Sequence, residues 1–368
     1  HTNQSYNEVD GTFNGDITNL KVNTTYFIRA WFIDSVTQGL VFGNVLEFRT
    51  EDAPGIYSLQ DLLDFRDAKN AKGNLSKWKD SNGVINIYTD IDLASVSVWI
   101  AIEELSTGET LEGNLKKLTA ANPISIGFVV SNGGNIRNLK ISGNVDASGD
   151  FIQYGTFCHV NGGSIYNCVN NATITGEGAN VSIGGICYEN SGTIEKCSNN
   201  KVLKSSSSWV AGIVASNKSG VVKSCINNGN IETPSIENSN IVSGGIAAYS
   251  YGDILECVNY GKITGSTAGG ISVSVGGNSI ANCINQGDVT GLLAGGIVGG
   301  ASFGLNYFSI EIKGNQNSGN IIGDVAGGIC GEVINANKYL VILNNINTGT
   351  VNDAIGTDDN AIGQNIIR

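Results

Sequence analysis

The chain contains 368 residues, of which 50 are glycine and 41% are hydrophobic, and its net charge is −12 with only 15% charged residues. The ordinary hydrophobic content excludes an intrinsically disordered chain, and the lack of glycine at every third position excludes collagen. The acidic excess argues against nucleic acid and anionic membranes as main partners. The uncharged runs after Lys262 and Asp288 are rich in glycine, serine and asparagine, so we do not interpret them as membrane spans.

Residues 1–52 predict a small β-domain without repeats. The segments ITNLKVNTTYFIRAWF and GLVFGNVLEFRT are typical of β-strands. Leu20, Val22, Thr24 and Tyr26 resemble the Leu-x-Pro-x-Thr-x-Tyr corner of fibronectin type III domains, with Val22 in place of the proline. The resemblance implies that the Tyr26 hydroxyl bonds to nearby backbone. It covers only about half of such a domain, so we expect further sequence upstream.

Residues 53–132 predict a capping helix followed by irregular first coils. Ser58 is a suitable N-cap, and Asp61 falls in the first turn of the helix. One face of this helix carries Leu59, Leu62, Leu63 and the stem of Arg66. A stack of coils needs such a cap because its first coil otherwise exposes core residues and unpaired strand edges. Residues 84–130, which include GVINIYTDIDL, then supply the opening coils.

Residues 133–368 contain eight copies of a repeat of about 29 residues. The pattern is small-Gly-x-Ile-x-x-Cys-x-Asn-x-Gly, and five copies keep the cysteine, at spacings of 29, 28, 32 and 26 residues. In chain order, the cysteine column contains Leu139, Cys168, Cys197, Cys225, Cys257, Cys283, Asn315 and Asn345. A second column in phase with the first has the form Gly-Gly-Ile-Cys, as at Gly184 and Gly327.

The segments between the repeat columns are short, β-branched and bounded by Gly, Asn and Ser, which is the chemistry of strands and tight turns. This period with several strands per repeat predicts an all-β fold, a right-handed parallel β-helix over residues 133–368. Leucine-rich repeats are the competing architecture, but their leucine spacing is absent. The C-terminal AIGQNIIR contains no recognisable cap, so truncation or a following partner is expected there.

A third column of the repeat consists of asparagines that we expect to hydrogen-bond from coil to coil. Its members are Asn170, Asn199, Asn227, Asn259, Asn285, Asn317 and Asn347. The cysteines, which also include Cys158, Cys187 and Cys330 in the second column, alternate with Leu, Val and Ala and are predicted to be inert core thiols. Zinc is not predicted, because no Cys-x-x-Cys pair occurs. A strained disulfide between stacked neighbours stays open as an alternative.

The fibronectin-like module, the capping helix, the DIDL segment and the GxIxNCxNxGxIxG repeats together resemble bacterial surface proteins with GLUG-type β-helix repeats. This resemblance covers nearly the whole chain, and its repeat motif is specific for architecture rather than activity. It implies an adhesin exported to the bacterial cell surface or outer membrane. It further implies attachment through a lipid anchor upstream of His1.

An enzyme acting on glycans is the main alternative, since β-helices also carry polysaccharide lyases and glycoside hydrolases. The chain lacks arginine between residues 162 and 367, and His159 is its only histidine after the first residue. We expect His159 to lie in a surface stack next to Tyr188. The acidic candidates are Glu195, Glu232 with Glu237, Asp90 with Asp92, and Asp358 with Asp359. None matches a hydrolase pair or a calcium loop, so we predict no catalytic residue, metal or cofactor.

A binding role requires only a long surface with exposed aromatics and amides. The aromatic candidates are Trp209, Tyr188, Tyr249 and Tyr251, of which Trp209 is the first to test. Aromatic rings stack on sugar faces, and an acidic rod favours neutral glycans or a basic protein patch. The sequence therefore predicts a non-catalytic adhesin that binds host or dietary glycans or an extracellular protein. A glycan-degrading enzyme and a passive spacer remain the alternatives.

Overall fold

The computed structural model of the chain divides into two compact units, residues 1–54 and residues 55–368. The structure describes residues 4–7, 12–15, 17, 19–21, 24–34, 36–120, 126–206, 208–233, 241–276, 278–302, 310–334, 340–353 and 365–367. In this part of the chain, no helix is long and apolar enough to cross a membrane.

The first unit contains two antiparallel strand pairs. Gln4–Asn7 pairs with Thr12–Gly15, and Thr25–Ile33 pairs with Leu40–Arg49. Close to the start of the longer hairpin, the Lys21 backbone N–H donates a hydrogen bond to the hydroxyl of Tyr26 over 2.7 Å. This contact is of the kind that the tyrosine corner implies.

The second unit opens with one helix, Leu59–Asn70, at the position that the sequence predicts. The Ser58 side chain caps it by accepting the Asp61 backbone N–H at 3.1 Å, which satisfies one of the donors left open at a helix N-terminus. Leu62 and Phe65 are fully buried in the main core. Phe65 was not among the residues predicted to lie on the buried face.

The rest of the second unit is a stack of coils whose strands form four sheets, named A to D in the order in which a complete coil passes through them. Sheet A contains Ile102–Leu105, Val129–Asn132, Cys158–Asn161, Cys187–Asn190, Val214–Asn217, Ala247–Ser250, Ser272–Val275, Val298–Ser302 and Cys330–Ile334. Sheet B contains Val84–Asn86, Thr110–Glu112, Asn135–Arg137, Ser164–Tyr166, Thr193–Glu195, Val221–Lys223, Asp253–Leu255, Asn278–Ala281, Ile310–Lys313, Leu340–Leu343 and Asn365–Ile367.

Sheets C and D complete each coil. Sheet C contains Ile91–Asp92, Lys117–Thr119, Lys140–Asp146, Val169–Gly176, Ser198–Asn199, Leu203–Ser205, Ile226–Asn227, Ile231–Glu232, Val258–Asn259, Ile263–Thr264, Ile284–Asn285, Val289–Thr290, Gln316–Asn317, Ile321–Gly323, Ile346–Asn347 and Val351–Asp353. Sheet D contains Gln153–Gly155, Ser182–Gly184, Trp209–Ala211, Val242–Gly244, Thr267–Gly269, Leu293–Gly295 and Val325–Gly327.

Each predicted repeat supplies one strand of sheet B, from Asn135–Arg137 in the first copy to Leu340–Leu343 in the last. Neighbouring coils pair in parallel and in register, as Ile165 opposite Ile194 shows. The predicted parallel solenoid of about eight turns is therefore confirmed. The last parallel strand of sheet B, Leu340–Leu343, pairs antiparallel with Asn365–Ile367. The sequence predicted no cap at this end.

The core is a continuous column of aliphatic side chains inside the four sheets. One row of it consists of Ile136, Ile165, Ile194, Val222, Ile254 and Ile280, all fully buried. β-Branched side chains suit this position because they pack well on a pleated surface that repeats with every coil. In each strand, the residues that alternate with the core residues face outward, and these outward faces are where a binding site can lie.

Candidate functional site: an aromatic surface outside sheets A and D

The cysteine column lies inside the solenoid and holds the backbone of adjacent coils. The Cys257 thiol donates to the Val222 carbonyl oxygen at 3.6 Å, and the Cys257 sulfur accepts the Cys225 backbone N–H at 3.4 Å. Two coils later, Asn315 makes the same pair of contacts with its amide: its Nδ2 donates to the Ile280 carbonyl at 2.9 Å, and its Oδ1 accepts the Cys283 N–H at 2.8 Å. This shared bonding explains why cysteine and asparagine exchange in one column.

Burial keeps these thiols away from solvent. All eight cysteines are free and buried. Desolvation raises the pKa of the Cys197 thiol well above its ordinary value, so the nucleophilic thiolate is rare there. These features support a structural role for the column.

The predicted asparagine column forms a buried ladder of side-chain amides. Asn227 Nδ2 donates to Asn259 Oδ1 at 2.7 Å, and Asn259 Nδ2 donates to Asn285 Oδ1 at 2.8 Å. Asn259 Nδ2 also donates to the Gly261 carbonyl at 2.9 Å, which holds the following turn. The ladder runs from Asn170 to Asn347. It leaves these amides occupied within the protein and unavailable to a ligand.

The second glycine of the Gly-Gly-Ile motif makes room for this ladder. A Cβ atom on Gly245 would lie 2.6 Å from Asn259 Cγ, and one on Gly296 would lie 2.6 Å from Asn317 Cγ. Both distances are far below van der Waals contact, so any side chain at the glycine would collide with the asparagine. The glycine and asparagine columns therefore repeat in phase because their residues are in contact.

The sequence prediction missed a second buried amide ladder, which lies at the end of the sheet A strands. Asn132 Nδ2 donates to Asn161 Oδ1 at 2.7 Å, and Asn161 Nδ2 donates to Asn190 Oδ1 at 2.7 Å. Asn190 continues the ladder to Asn217 at 2.9 Å. The signal was present in the sequence as an asparagine four residues before a core isoleucine of sheet B, as in Asn132 with Ile136, Asn161 with Ile165 and Asn190 with Ile194.

Outside the main core, sheets A and D share a second apolar cluster, which we call the outer A–D surface. Its buried members are Ala211, Val242, Ala248 and Val273, and Trp209 and Tyr249 are half-buried against them. Val210 and Ala247, the chain neighbours of Ala211 and Ala248, belong to the main core. Because successive residues of a strand point to opposite faces, the cluster lies on the outer faces of both sheets.

Trp209 and Tyr249 form an aromatic pair on this surface. Their ring centroids lie 4.6 Å apart, and the ring planes are tilted by 54°. Trp209 comes from sheet D and Tyr249 from the sheet A strand one coil further on, so the fold brings together two residues that are 40 positions apart. Burial raises the pKa of Tyr249, with the nearby Tyr251 adding to the effect, so its hydroxyl stays protonated at neutral pH and can donate.

Of the two remaining predicted aromatic residues, Tyr188 is buried and Tyr251 is half-buried. Tyr188 is only 8% exposed and stacks on His159 with ring centroids 5.0 Å apart, which confirms the predicted stack. His159 Nδ1 lies 2.9 Å from the Gln153 carbonyl oxygen, so this nitrogen donates a hydrogen bond to backbone. Tyr251 lies over Gly276 in the next coil. The candidate site is therefore centred on the Trp209–Tyr249 pair, which lies on the second apolar cluster.

The candidate carboxylates that the structure describes each contact a lysine or a backbone N–H group. Glu195 lies 3.8 Å from Lys196 and Glu232 lies 3.0 Å from Lys204, both as exposed ion pairs. Asp90 and Asp92 accept backbone N–H groups of Lys117 and Ala94, as turn aspartates do. Glu237, Asp358 and Asp359 lie outside the described residues. Among the residues that are described, no three His, Cys, Asp or Glu side chains cluster as metal ligands would.

These features define the chain as an all-β protein with a parallel β-solenoid of about eight turns. Among solved structures, a chain named IgA1 Protease is similar to it, with a TM-score of 0.51 and 13% sequence identity. The similarity covers 86% of this chain and 29% of that one. At this identity the likeness shows the fold alone. No protein-family model matches the sequence, and no curated protein matches it either.

Proposed function

We propose that this protein is a non-catalytic rod on the bacterial cell surface that binds a neutral glycan through the outer A–D surface. The observation that carries the proposal is the Trp209–Tyr249 pair, two half-buried rings on an apolar base outside the core. Rings in this position offer their faces to the apolar face of a sugar, while the Tyr249 hydroxyl bonds sugar hydroxyls.

The architecture supports a role in presenting a surface. Parallel strands stack about 4.8 Å apart, so eight coils form a rod of roughly 40 Å. The resemblance to GLUG-repeat surface proteins supports export, attachment through a lipid anchor, and adhesion. Cleavage of the protein on intact cells by an added protease tests the location, and full protection from cleavage would contradict it.

Two further assignments belong to this proposal. We assign residues 1–52 to a fibronectin type III-like module, supported by the Lys21–Tyr26 hydrogen bond. We assign a capping role to the helix Leu59–Asn70, supported by Leu62 and Phe65, which close onto the main core. A crystal structure of the whole chain tests both assignments.

The test of binding is a glycan array probed with the whole chain and with variants. We expect the wild-type protein to retain neutral glycans and the Trp209→Ala and Tyr249→Ala variants to lose about tenfold or more in affinity, because each removes one stacking ring. Tyr260→Ala is the matched control, since Tyr260 is 50% exposed and lies between the sheet C strands Val258–Asn259 and Ile263–Thr264, outside the outer A–D surface. Equal binding by all variants would place the site elsewhere.

The same experiment separates the alternatives. Release of unsaturated or reducing sugars from a bound glycan would overturn the non-catalytic proposal in favour of a glycan-degrading enzyme. Binding of an extracellular protein but of no glycan would show that the ligand is a protein rather than a glycan. Failure to bind either class would favour a passive spacer.

A further inference from the structure

Cys158 and Cys187 form a sulfur–sulfur contact between adjacent coils. They occupy the same inward position in adjacent strands of sheet A, and their Sγ atoms lie 3.5 Å apart. Both residues are fully buried. The Cys187 thiol also donates to the carbonyl oxygens of Glu189 at 2.9 Å and of His159 in the preceding coil at 3.7 Å, as the Cys197 thiol of the cysteine column does to Ile165 at 3.5 Å.

The backbone geometry allows a covalent link at this position. Partner Cα atoms of adjacent parallel strands lie about 4.8 Å apart, which falls inside the range of about 4.4–6.8 Å found for disulfides. The two sulfurs already face each other, so they need to approach by about 1.5 Å to reach the bonded distance of about 2.05 Å. The Cβ atoms of a disulfide lie about 3.5–4.5 Å apart, so the bond forms when the two strands draw slightly closer and the two side chains rotate.

We propose that Cys158 and Cys187 form a disulfide that joins two adjacent coils when the protein folds in an oxidising compartment. The oxidant is a disulfide, either of a thioredoxin-like oxidoreductase or of a small thiol. Two S–H bonds break, one S–S bond forms, and two electrons and two protons pass to the oxidant, which leaves as two thiols. The oxidising compartment follows from the proposed export, but the thiol geometry does not depend on the glycan site.

Burial determines when this bond forms. Both sulfurs are inaccessible once the coil is complete. Desolvation, together with a smaller contribution from the neighbouring Cys187, raises the pKa of Cys158 well above its ordinary value. Thiol exchange requires a thiolate and access to an oxidant, so the folded, reduced protein reacts slowly. We therefore expect the bond to form during folding, before the next coil covers the pair.

The chain contains a matched control. Cys330 occupies the same column of sheet A, but its parallel partner in the preceding coil is Val298, which has no thiol. The column also accepts alanine, since Ala247 fills the position in another coil and is fully buried. Cys187→Ala and Cys330→Ala are therefore both expected to fold, and only the first removes the proposed bond.

The test is oxidative refolding of the whole chain in a mixture of reduced and oxidised glutathione, followed by alkylation of free thiols under denaturing conditions and peptide mass spectrometry. We expect one cross-linked peptide pair containing Cys158 and Cys187, lighter by about 2 Da than the reduced pair, and alkylation of the remaining six of the eight cysteines. The cross-link persists in Cys330→Ala and is lost in Cys187→Ala.

A second measurement tests whether the disulfide stabilises the folded protein. The oxidised wild-type protein is expected to unfold at a temperature a few degrees higher than the reduced protein, because the link closes a long loop in the unfolded chain. Cys330→Ala keeps this difference and Cys187→Ala loses it. Alkylation of all eight cysteines after oxidative refolding, or pairing within the cysteine column, would overturn the proposal, whether or not the protein binds a glycan.

Discussion

At the scale of single residues, side chains at equivalent positions of successive coils bond to one another. Cys283 and Asn315 both donate to a carbonyl oxygen of the preceding coil, although one is a thiol and the other an amide. Stacked amides such as Asn227 and Asn259 pass a hydrogen bond from coil to coil in a buried environment, where an unpaired polar group is costly. These rows stabilise the solenoid because each side chain forms a hydrogen bond with an adjacent coil.

The buried ladder predicts a large cost for removing one amide. Asn259→Ala leaves the Asn285 Oδ1 and the Gly261 carbonyl without their Asn259 donor in a buried site, so we expect a loss of at least about 2 kcal/mol in the free energy of unfolding. Denaturant unfolding measures this change. The control is Asn228→Ala in the exposed neighbouring row, for which we expect a change within about 0.5 kcal/mol. Equal effects of the two substitutions would show that the buried ladder does not stabilise the fold.

At the scale of elements, the opening helix is held to the first coils by charge as well as by apolar packing. Glu109 forms ion pairs with Lys69 of the helix at 2.6 Å and with Lys79 at 3.0 Å. Burial raises the pKa of Glu109, but the hydrogen bonds from Lys69, the Ser106 backbone and Lys79 outweigh it and hold the pKa below its ordinary value. The Glu109 carboxylate therefore connects the helix, through Lys69, with the segment after the helix, through Lys79, and with the loop that contains Ser106.

This link predicts acid sensitivity at the helix end of the solenoid. A carboxyl group whose pKa is lowered by folding contributes stability above its unfolded value near 4.5, and this contribution is lost as the pH falls through the lowered folded value. We expect Glu109→Gln to lower the unfolding midpoint clearly at pH 7 and much less at about pH 3.5.

Glu104→Gln is the control for this prediction, because Glu104 is exposed in the nearby strand Ile102–Leu105. Urea unfolding at both pH values gives the comparison. A difference between wild type and Glu109→Gln that stays constant with pH would show that the ion pairs do not cause the effect.

At the scale of the whole molecule, the chain combines a net charge of −12 with an apolar aromatic site. Long-range repulsion disfavours polyanionic ligands, whereas stacking on Trp209 and Tyr249 involves no net charge. The proposed ligand is therefore a neutral glycan.

The charge balance predicts how salt affects binding. For a neutral glycan we expect the Kd to change less than about twofold between about 0.05 M and 0.5 M NaCl, since screening acts on charge interactions only. A sulfated glycan is the comparison, and any binding to it should depend strongly on salt. Isothermal titration gives both constants. A strong salt dependence for the neutral glycan would contradict recognition by aromatic stacking.

The sequence by itself determined the features that repeat. Parallel coils stack in register, so the repeat pattern places Ile165 opposite Ile194 and Asn227 opposite Asn259. The helix start at Ser58 was also predictable, because its cap is local. The repeating features are predictable because residues at equivalent positions of successive repeats become neighbours in the stack.

Only the tertiary structure decided which outward faces and which non-equivalent residues meet. Trp209 and Tyr249 lie in different sheets and at different phases of the repeat, so the bend of the coil between sheets D and A determines their contact. The same holds for Glu109 with Lys69, whose contact depends on how the helix lies on the first coils. Periodicity specifies the stacking along the rod, whereas contacts around its circumference depend on the shape of each corner.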